Sequence, residues 1–362
     1  MANLKPWYKV VTPREDLREG KPLDAAEFAV HLDQVRVGQA NPDYQNPSRF
    51  FERTFLTKNL RKVSAEVIRR LSGEKTETSA IFNMATQFGG GKTHALTLLY
   101  HLVANGSKAD KWTGVPLILE ESGVQSVPKG ATAVFVGTEF DSLHGRGGGD
   151  GTPLRKTPWG EIAFQLAGDK GFNIVAEHEK RQEAPAGDVI KKFIPQDKPC
   201  LILIDELMNY ISRNRRSGLS AQLYNFIQNL SETTRNMDKV VLVVSIPASE
   251  LEMSAEDRSD YERFKKLLDR LGKAVVMSAD SETSEIIRRR LFEWDTRHVA
   301  SDGRIMLSKD AVATCQEYAD WLNNNRPQIP NWFSIDHAKE IFQSTYPFHP
   351  MVLSVFERKW QE

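Results

Sequence analysis

Three consecutive glycines, Gly89, Gly90 and Gly91, run into Lys92, Thr93 and His94 between an apolar run and an apolar helical pattern. Glycines let successive backbone N–H groups curl around a phosphate, and a helix starting there aims the positive end of its dipole at the anion. In that chemistry the loop amides and Lys92 bind the phosphates of ATP, and the Thr93 hydroxyl binds Mg²⁺. His94, the next helical residue, counts with the binding loop. The pattern departs from G-x-x-x-x-G-K-[ST] at one place, since Thr86 stands where the first glycine is expected.

A phosphate loop needs a metal-binding carboxylate, and an apolar run from Pro199 ends in Asp205-Glu206. A continuous apolar run suits a strand covered on both faces of a parallel sheet, with proline tolerated at its first position. Asp205 is then the candidate to hold Mg²⁺ and Glu206 the base that polarises the attacking water. A third apolar run, 239–247, carries Ser245 near its end as a candidate sensor of the γ-phosphate, or simply as a strand-terminating serine. Arg270, with Arg263 as second choice, is the candidate arginine acting on a neighbouring subunit's γ-phosphate; the alternative is an ion pair on a helix surface.

These residues require a scaffold of alternating strands and helices. Apolar runs at 80–85, 131–138, 199–205, 239–247 and 273–277, with helical stretches between them, predict a five-stranded parallel sheet in a three-layer α/β P-loop core. Residues 94–104 read as a buried helix stopped by Asn105-Gly106. The division expected is an N-terminal helical segment (1–78), an ATPase core (79–280) and a helical lid (281–362). Helical patterns occupy 24–37 and 47–71, the latter capped by Asn46 with Pro47 at its first position. They recur at 282–294, 308–323 and 335–345, with Ser308 and Ser334 as caps. The aromatics of 48–55 are read as core, with stacking against adenine as the alternative. The glycine-rich segment 143–151 reads as a mobile loop and 212–218 as a solvated basic turn, the alternatives being a second phosphate cradle and a contact to a phosphate backbone or neighbouring subunit. A helix is expected from Pro158. The chain stops within an apolar helical pattern at 350–360, as a truncated lid would.

At 362 residues, Lys plus Arg and Asp plus Glu balance at 48 each, so no global basic field advertises nucleic acid, although a local DNA contact stays open. Cys200 and Cys315 form no metal-ligand pattern and suit buried positions in a reducing compartment. The amino terminus has no signal-peptide core and no run approaches the ~20 apolar residues of a membrane span. A cytoplasmic protein with no membrane association is expected.

Four stretches carry a resemblance: Gln87 to His94 (QFGGGKTH), Thr157 to Ala163 (TPWGEIA), Leu203 to Leu207 (LIDEL) and Tyr346 to Pro350 (YPFHP). In these the chain resembles AAA+ ATPases of prokaryotes whose genes sit beside adenine-specific DNA methyltransferases and helicases in anti-phage clusters. The resemblance implies ATP-dependent remodelling in a defence or DNA-modification system, with those proteins as partners; a homo-oligomer follows if Arg270 acts in trans. Pro158 stands where a larger apolar residue is usual. A nucleotide-gated switch with little hydrolysis, or a DNA translocase motor, are the competing functions.

Overall fold

A computed structural model describes residues 4–20, 30–86, 91–247, 254–275, 282–295, 297–300, 303–330 and 335–361. Five parallel strands form its main sheet: β1 (Ile81–Thr86), β2 (Ala131–Val136), β3 (Cys200–Asp205), β4 (Val240–Pro247) and β5 (Lys273–Val275). Their spatial order is β2-β3-β4-β1-β5, so one strand separates the strand of the phosphate loop from the strand ending in Asp205. This is the order of an ASCE-type P-loop core.

Strand alternation decides which face each side chain serves. Ile81, Phe135, Ile202, Ile204, Leu242 and Val244 share one buried cluster. That cluster includes residues of α4 (Pro158–Arg181), α5 (Leu207–Asn214), α6 (Leu219–Asn236) and α7 (Ala255–Leu271). The other parity, which includes Met84, Val136, Leu203, Asp205 and Ser245, faces the opposite layer. There α3 (Lys92–Asn105) packs across β1 to β4. Leu201, Leu203, Val241 and Val243 are fully buried, and each such side chain contributes roughly 1.5–3 kcal/mol.

By contacts the chain divides into two compact units: Ala29–Arg49 with Thr57–Ser278, and Met1–Phe28 with Phe50–Leu56 and Ala279–Glu362. The first holds the sheet. The second is helical, with α8 (Thr283–Leu291), α9 (Lys309–Asn324), α10 (Ala338–Thr345) and α11 (Pro350–Gln361). Ala311, Cys315, Phe342 and Tyr346 belong to its core, and the Ser308 hydroxyl caps α9 by accepting from the Ala311 N–H at 3.3 Å. Arg288 and Arg289, buried, pair with Glu285, and Arg288 also donates to the carbonyls of Gln343, Ser344 and Tyr346 where α10 ends. Cations are favoured at such an end because the helix dipole is negative there. No described helix is long and apolar enough to cross a membrane.

Two expectations change. The pattern at 47–71 is not one helix: it spans Pro47–Arg53, breaks, and resumes as α2 (Lys58–Leu71). Threonine explains the break, since Thr54 Oγ1 donates back to the Phe50 carbonyl while Thr57 Oγ1 caps the new helix at the Leu60 N–H. The cap predicted at Asn46 is present, accepting from the Arg49 N–H at 3.2 Å, and Phe50 and Phe51 are core residues.

The segment 143–151 is not a free loop. Arg146 and Arg155 exchange both backbone hydrogen bonds at 2.8 Å, making a short hairpin. Gly147, at φ +80°, has no room for a Cβ, which would lie 2.5 Å from the Pro153 carbonyl. The hairpin directs Arg146 onto Asp33 of α1 (Leu32–Val37) at 2.6 Å and Arg155 onto the buried Glu161 at 2.8 Å. The patterns at 24–29 and Ser334, and the end of the strand predicted at 273–277, lie outside the described residues.

Candidate functional site

Gly91 turns the chain from the loop into α3 with φ +75°, a conformation glycine adopts without strain. Gly89 and Gly90 lie outside the described residues. Lys92, Thr93 and His94 form the first turn of α3, where helix N–H groups lack intrahelical acceptors and attract anions. The Thr93 carbonyl accepts from Thr97 Oγ1 at 2.8 Å, and the His94 ring meets Tyr44 edge-on at 6.5 Å.

Asp205 closes β3 with 1% exposure. The registers Val136↔Asp205 and Met84↔Ser245, with Ile204↔Val244 beside them, set Asp205 and Ser245 level on the α3 face at the carboxyl end of the sheet. Ligands of open α/β sheets bind at that end. Glu206 leaves the strand at φ +52°, a left-handed position that is unfavourable for a residue with a Cβ. Its N–H donates to Asp205 Oδ1 at 3.0 Å, and its Oε2 accepts from Asn209 Nδ2 at 2.8 Å.

The charges are coupled. Burial pulls the Lys92 ammonium below the ordinary lysine pKa, opposed by the negative charges of Glu206 and Asp205. Burial also pushes Glu206 up, reinforced by Asp205 and opposed by Lys92 and the Asn209 hydrogen bond. One cation and two carboxylates from distant parts of the sequence thus share one partly desolvated site. A hydroxyl and a carboxylate are hard oxygen donors suited to Mg²⁺, which keeps several waters and few protein ligands. Thr93 and Asp205 fit that description.

Arg270 is not brought to this site. It lies at the end of α7, just before β5, whose Lys273 pairs with Phe82 near the start of β1, whereas Lys92 follows the end of β1. Its half-exposed guanidinium lies 3.7 Å from Glu232. Arg263 is stacked over Tyr224 at 3.7 Å. In the basic turn, Arg213 donates to the carbonyls of Gly137 and Phe140, and Arg215 pairs with Asp257 and Asp260.

Gly137 and Asn209 escaped sequence reading. Gly137 donates its N–H to the Asp205 carbonyl at 2.8 Å, and a Cβ there would lie 2.1 Å from the Glu206 carbonyl oxygen. Its only sequence signal is a glycine ending the apolar run of β2. Asn209, one turn beyond Glu206, carries none.

A family model described as the DUF499 N-terminal domain matches residues 9–117 and 149–282, a span that takes in the glycine loop, Asp205, Glu206, Ser245 and Arg270. No curated protein matches the chain. Among solved structures it is similar to the Aeropyrum pernix ORC2 protein in its ADPNP–ADP complexes, at 13% identity and TM-score 0.35 over 82% of this chain and 70% of that one. The ADP form of the same protein matches at 12% identity and TM-score 0.30, covering 79% and 67%.

Proposed function

This chain belongs to the DUF499 N-terminal domain family, and on that premise we propose that it is an AAA+-type module that binds and hydrolyses ATP to remodel a partner. The observation that carries this reading is geometric: Lys92 stands in the first turn of α3, beyond the end of β1, and Asp205 ends the parallel strand β3 on the α3 face at the carboxyl end of the sheet.

Gly89, Gly90, Gly91, Lys92, Thr93 and His94 bind the nucleotide, the loop amides and Lys92 taking the phosphates. Thr93 and Asp205 would hold Mg²⁺, which would supply charge neutralisation for the phosphates. Glu206, as carboxylate, accepts a proton from the attacking water, and Ser245, level with Asp205, senses the γ-phosphate. If Arg270 acts on a γ-phosphate it does so on a neighbour's, because its own β1 spans six residues, or about 20 Å, between the two ends of the sheet; the active form is then a homo-oligomer, whereas its pairing with Glu232 at 3.7 Å suits a surface ion pair. The four motif stretches support a place beside DNA methyltransferases and helicases in a defence or modification system.

Turnover and nucleotide affinity of the wild type, Lys92→Ala and Glu206→Gln, with and without double-stranded DNA, test the reading. Lost turnover in both variants, with binding kept in Glu206→Gln, is expected. Turnover unchanged in Glu206→Gln would overturn it. Mixing Arg270→Ala with Glu206→Gln tests the shared site: activity restored in the mixture supports action in trans.

A second reading, a nucleotide-gated switch with little hydrolysis, is favoured by one observation. Asn209 donates to Glu206 Oε2 at 2.8 Å and so ties one of its two carboxylate oxygens to α5. Tight binding with negligible wild-type turnover would select it.

A further inference from the structure

From Ile81 to Ala85, β1 is apolar except for Asn83, which is fully buried on the face shared with Ile81, against which α7 packs. An amide buried in that way is unfavourable unless it is hydrogen-bonded. Its Nδ2 donates to Asp269 Oδ1 at 3.1 Å, and its Oδ1 has no partner among the described residues. Asp269 is equally out of place. It is exposed in the last turn of α7, where the helix dipole is negative and an acid is disfavoured. Among the described residues it makes no ion pair, and Asn83 is its side-chain partner. Two locally unfavourable residues that satisfy each other point to a task beyond stability.

Arg270 is the next residue, and the chain is fixed on both sides of it. Leu268 is fully buried, and past the helix Gly272 runs so close to β1 that a Cβ would lie 2.8 Å from Ile81 Cγ2 and 3.0 Å from the Ile81 carbonyl oxygen. Asp269 adds a polar tie to the middle of that strand. Successive helical side chains diverge by about 100°, so with Asp269 turned onto β1 the Arg270 side chain turns off it and is 62% exposed. The Arg270 contact with Glu232, at 3.7 Å between two exposed groups, contributes little to holding it there. β1 therefore leads into the phosphate loop at its end and anchors the turn that presents Arg270 at its centre.

We propose that Asp269 is a positioning residue: through its hydrogen bond with Asn83 it sets the placement of Arg270 for a neighbouring copy's γ-phosphate. This inference rests on the reading in which Arg270 acts in trans, and deepens it.

The test compares the full chain as wild type, Asp269→Ala, Asp269→Asn and Arg270→Ala, each alone and mixed with Glu206→Gln, following kcat, the KM for ATP and the urea midpoint. Asp269→Ala is expected to lower kcat about 10- to 100-fold with KM unchanged, the cost of a displacement of about 1 Å. Asp269→Asn keeps an acceptor oxygen and should stay within about threefold of the wild type. Mixing separates positioning from framework. A Glu206→Gln copy offers an intact arginine to the intact carboxylates of an Asp269→Ala copy, so the mixture should exceed the two separate samples. A strand or fold damaged within the Asp269→Ala copy would stay inactive in any mixture. Asp269→Ala at wild-type turnover, or inactive and not restored while Arg270→Ala is restored, overturns the inference and leaves the trans reading standing. Arg270→Ala with full turnover, or with lost turnover that mixing does not restore, overturns the trans reading and this inference with it, as does a wild type without turnover.

Discussion

Glu161 and Glu206 belong to the same compact unit, yet their surroundings differ in kind. Glu161, 1% exposed, receives Arg155 at 2.8 Å, Arg146 at 3.3 Å and the Gln165 amide at 2.7 Å. Around it Asp33 pairs with Arg146 and Arg36, and Arg155 stacks over Phe164 at 4.0 Å. Glu206 accepts one amide at 2.8 Å, stands beside a second carboxylate and sits on strained backbone. A buried charge matched by cations of its own chain serves the framework. Two adjacent carboxylates at a strand end favour a cation from outside, which is what a metal-nucleotide site offers.

The largest effect expected from this contrast is on chemistry. Glu206→Gln should lower turnover by about 10²- to 10⁴-fold, the usual worth of a positioned base, with nucleotide affinity kept. Steady-state rates and a binding titration on the same samples check this.

Glu161→Gln should do the opposite, leaving turnover per folded molecule intact while costing about 3–5 kcal/mol in urea unfolding, because Arg155 is left buried and uncompensated. An unchanged midpoint would erase the distinction between the two carboxylates.

Gly137→Ala sharpens the boundary between framework and site. Its Cβ would lie 2.1 Å from the Glu206 carbonyl, so both the backbone under Glu206 and the fold should suffer, the fold by about 1–3 kcal/mol. Turnover and unfolding midpoint falling together is the expected signature.

The smallest effect runs against intuition. Burial raises the Glu206 pKa, so its ionised form opposes folding. The stability tied to the protonated acid is full below the unfolded-state value of about 4.3 and is lost as pH rises through the raised folded value. Glu206→Gln should therefore stabilise the fold at pH 7, by about 0.5–2 kcal/mol if it follows other active-site replacements, and the gain should vanish at acid pH. Unfolding midpoints across pH measure it.

Much of this was legible in residue order. The apolar runs of β1 to β4 read correctly because strands covered on both faces need long apolar stretches wherever they sit, and Asn105-Gly106 stops α3 through local geometry. Thr54 and Thr57 were harder, since their hydroxyls compete with the helix only when the backbone there is already turning. The glycine-rich segment 143–151 misled for a similar reason. Its composition suits a mobile loop, and Arg146 and Arg155 become anchors only because Asp33 and Glu161 arrive from elsewhere in the chain.

The sequence by itself determined which side chains can bind phosphate, hold a hard metal ion or move a proton: a glycine turn before Lys92-Thr93 and two acids ending an apolar run are local features. Only the tertiary structure decided that Asp205 and Ser245 stand level on one face, that Lys92 and Glu206 are partly buried near each other, that Gly137 must stay bare, and that Tyr346 to His349 wall a cavity. Each of these depends on strand register, packing or burial, which act between residues distant in the chain.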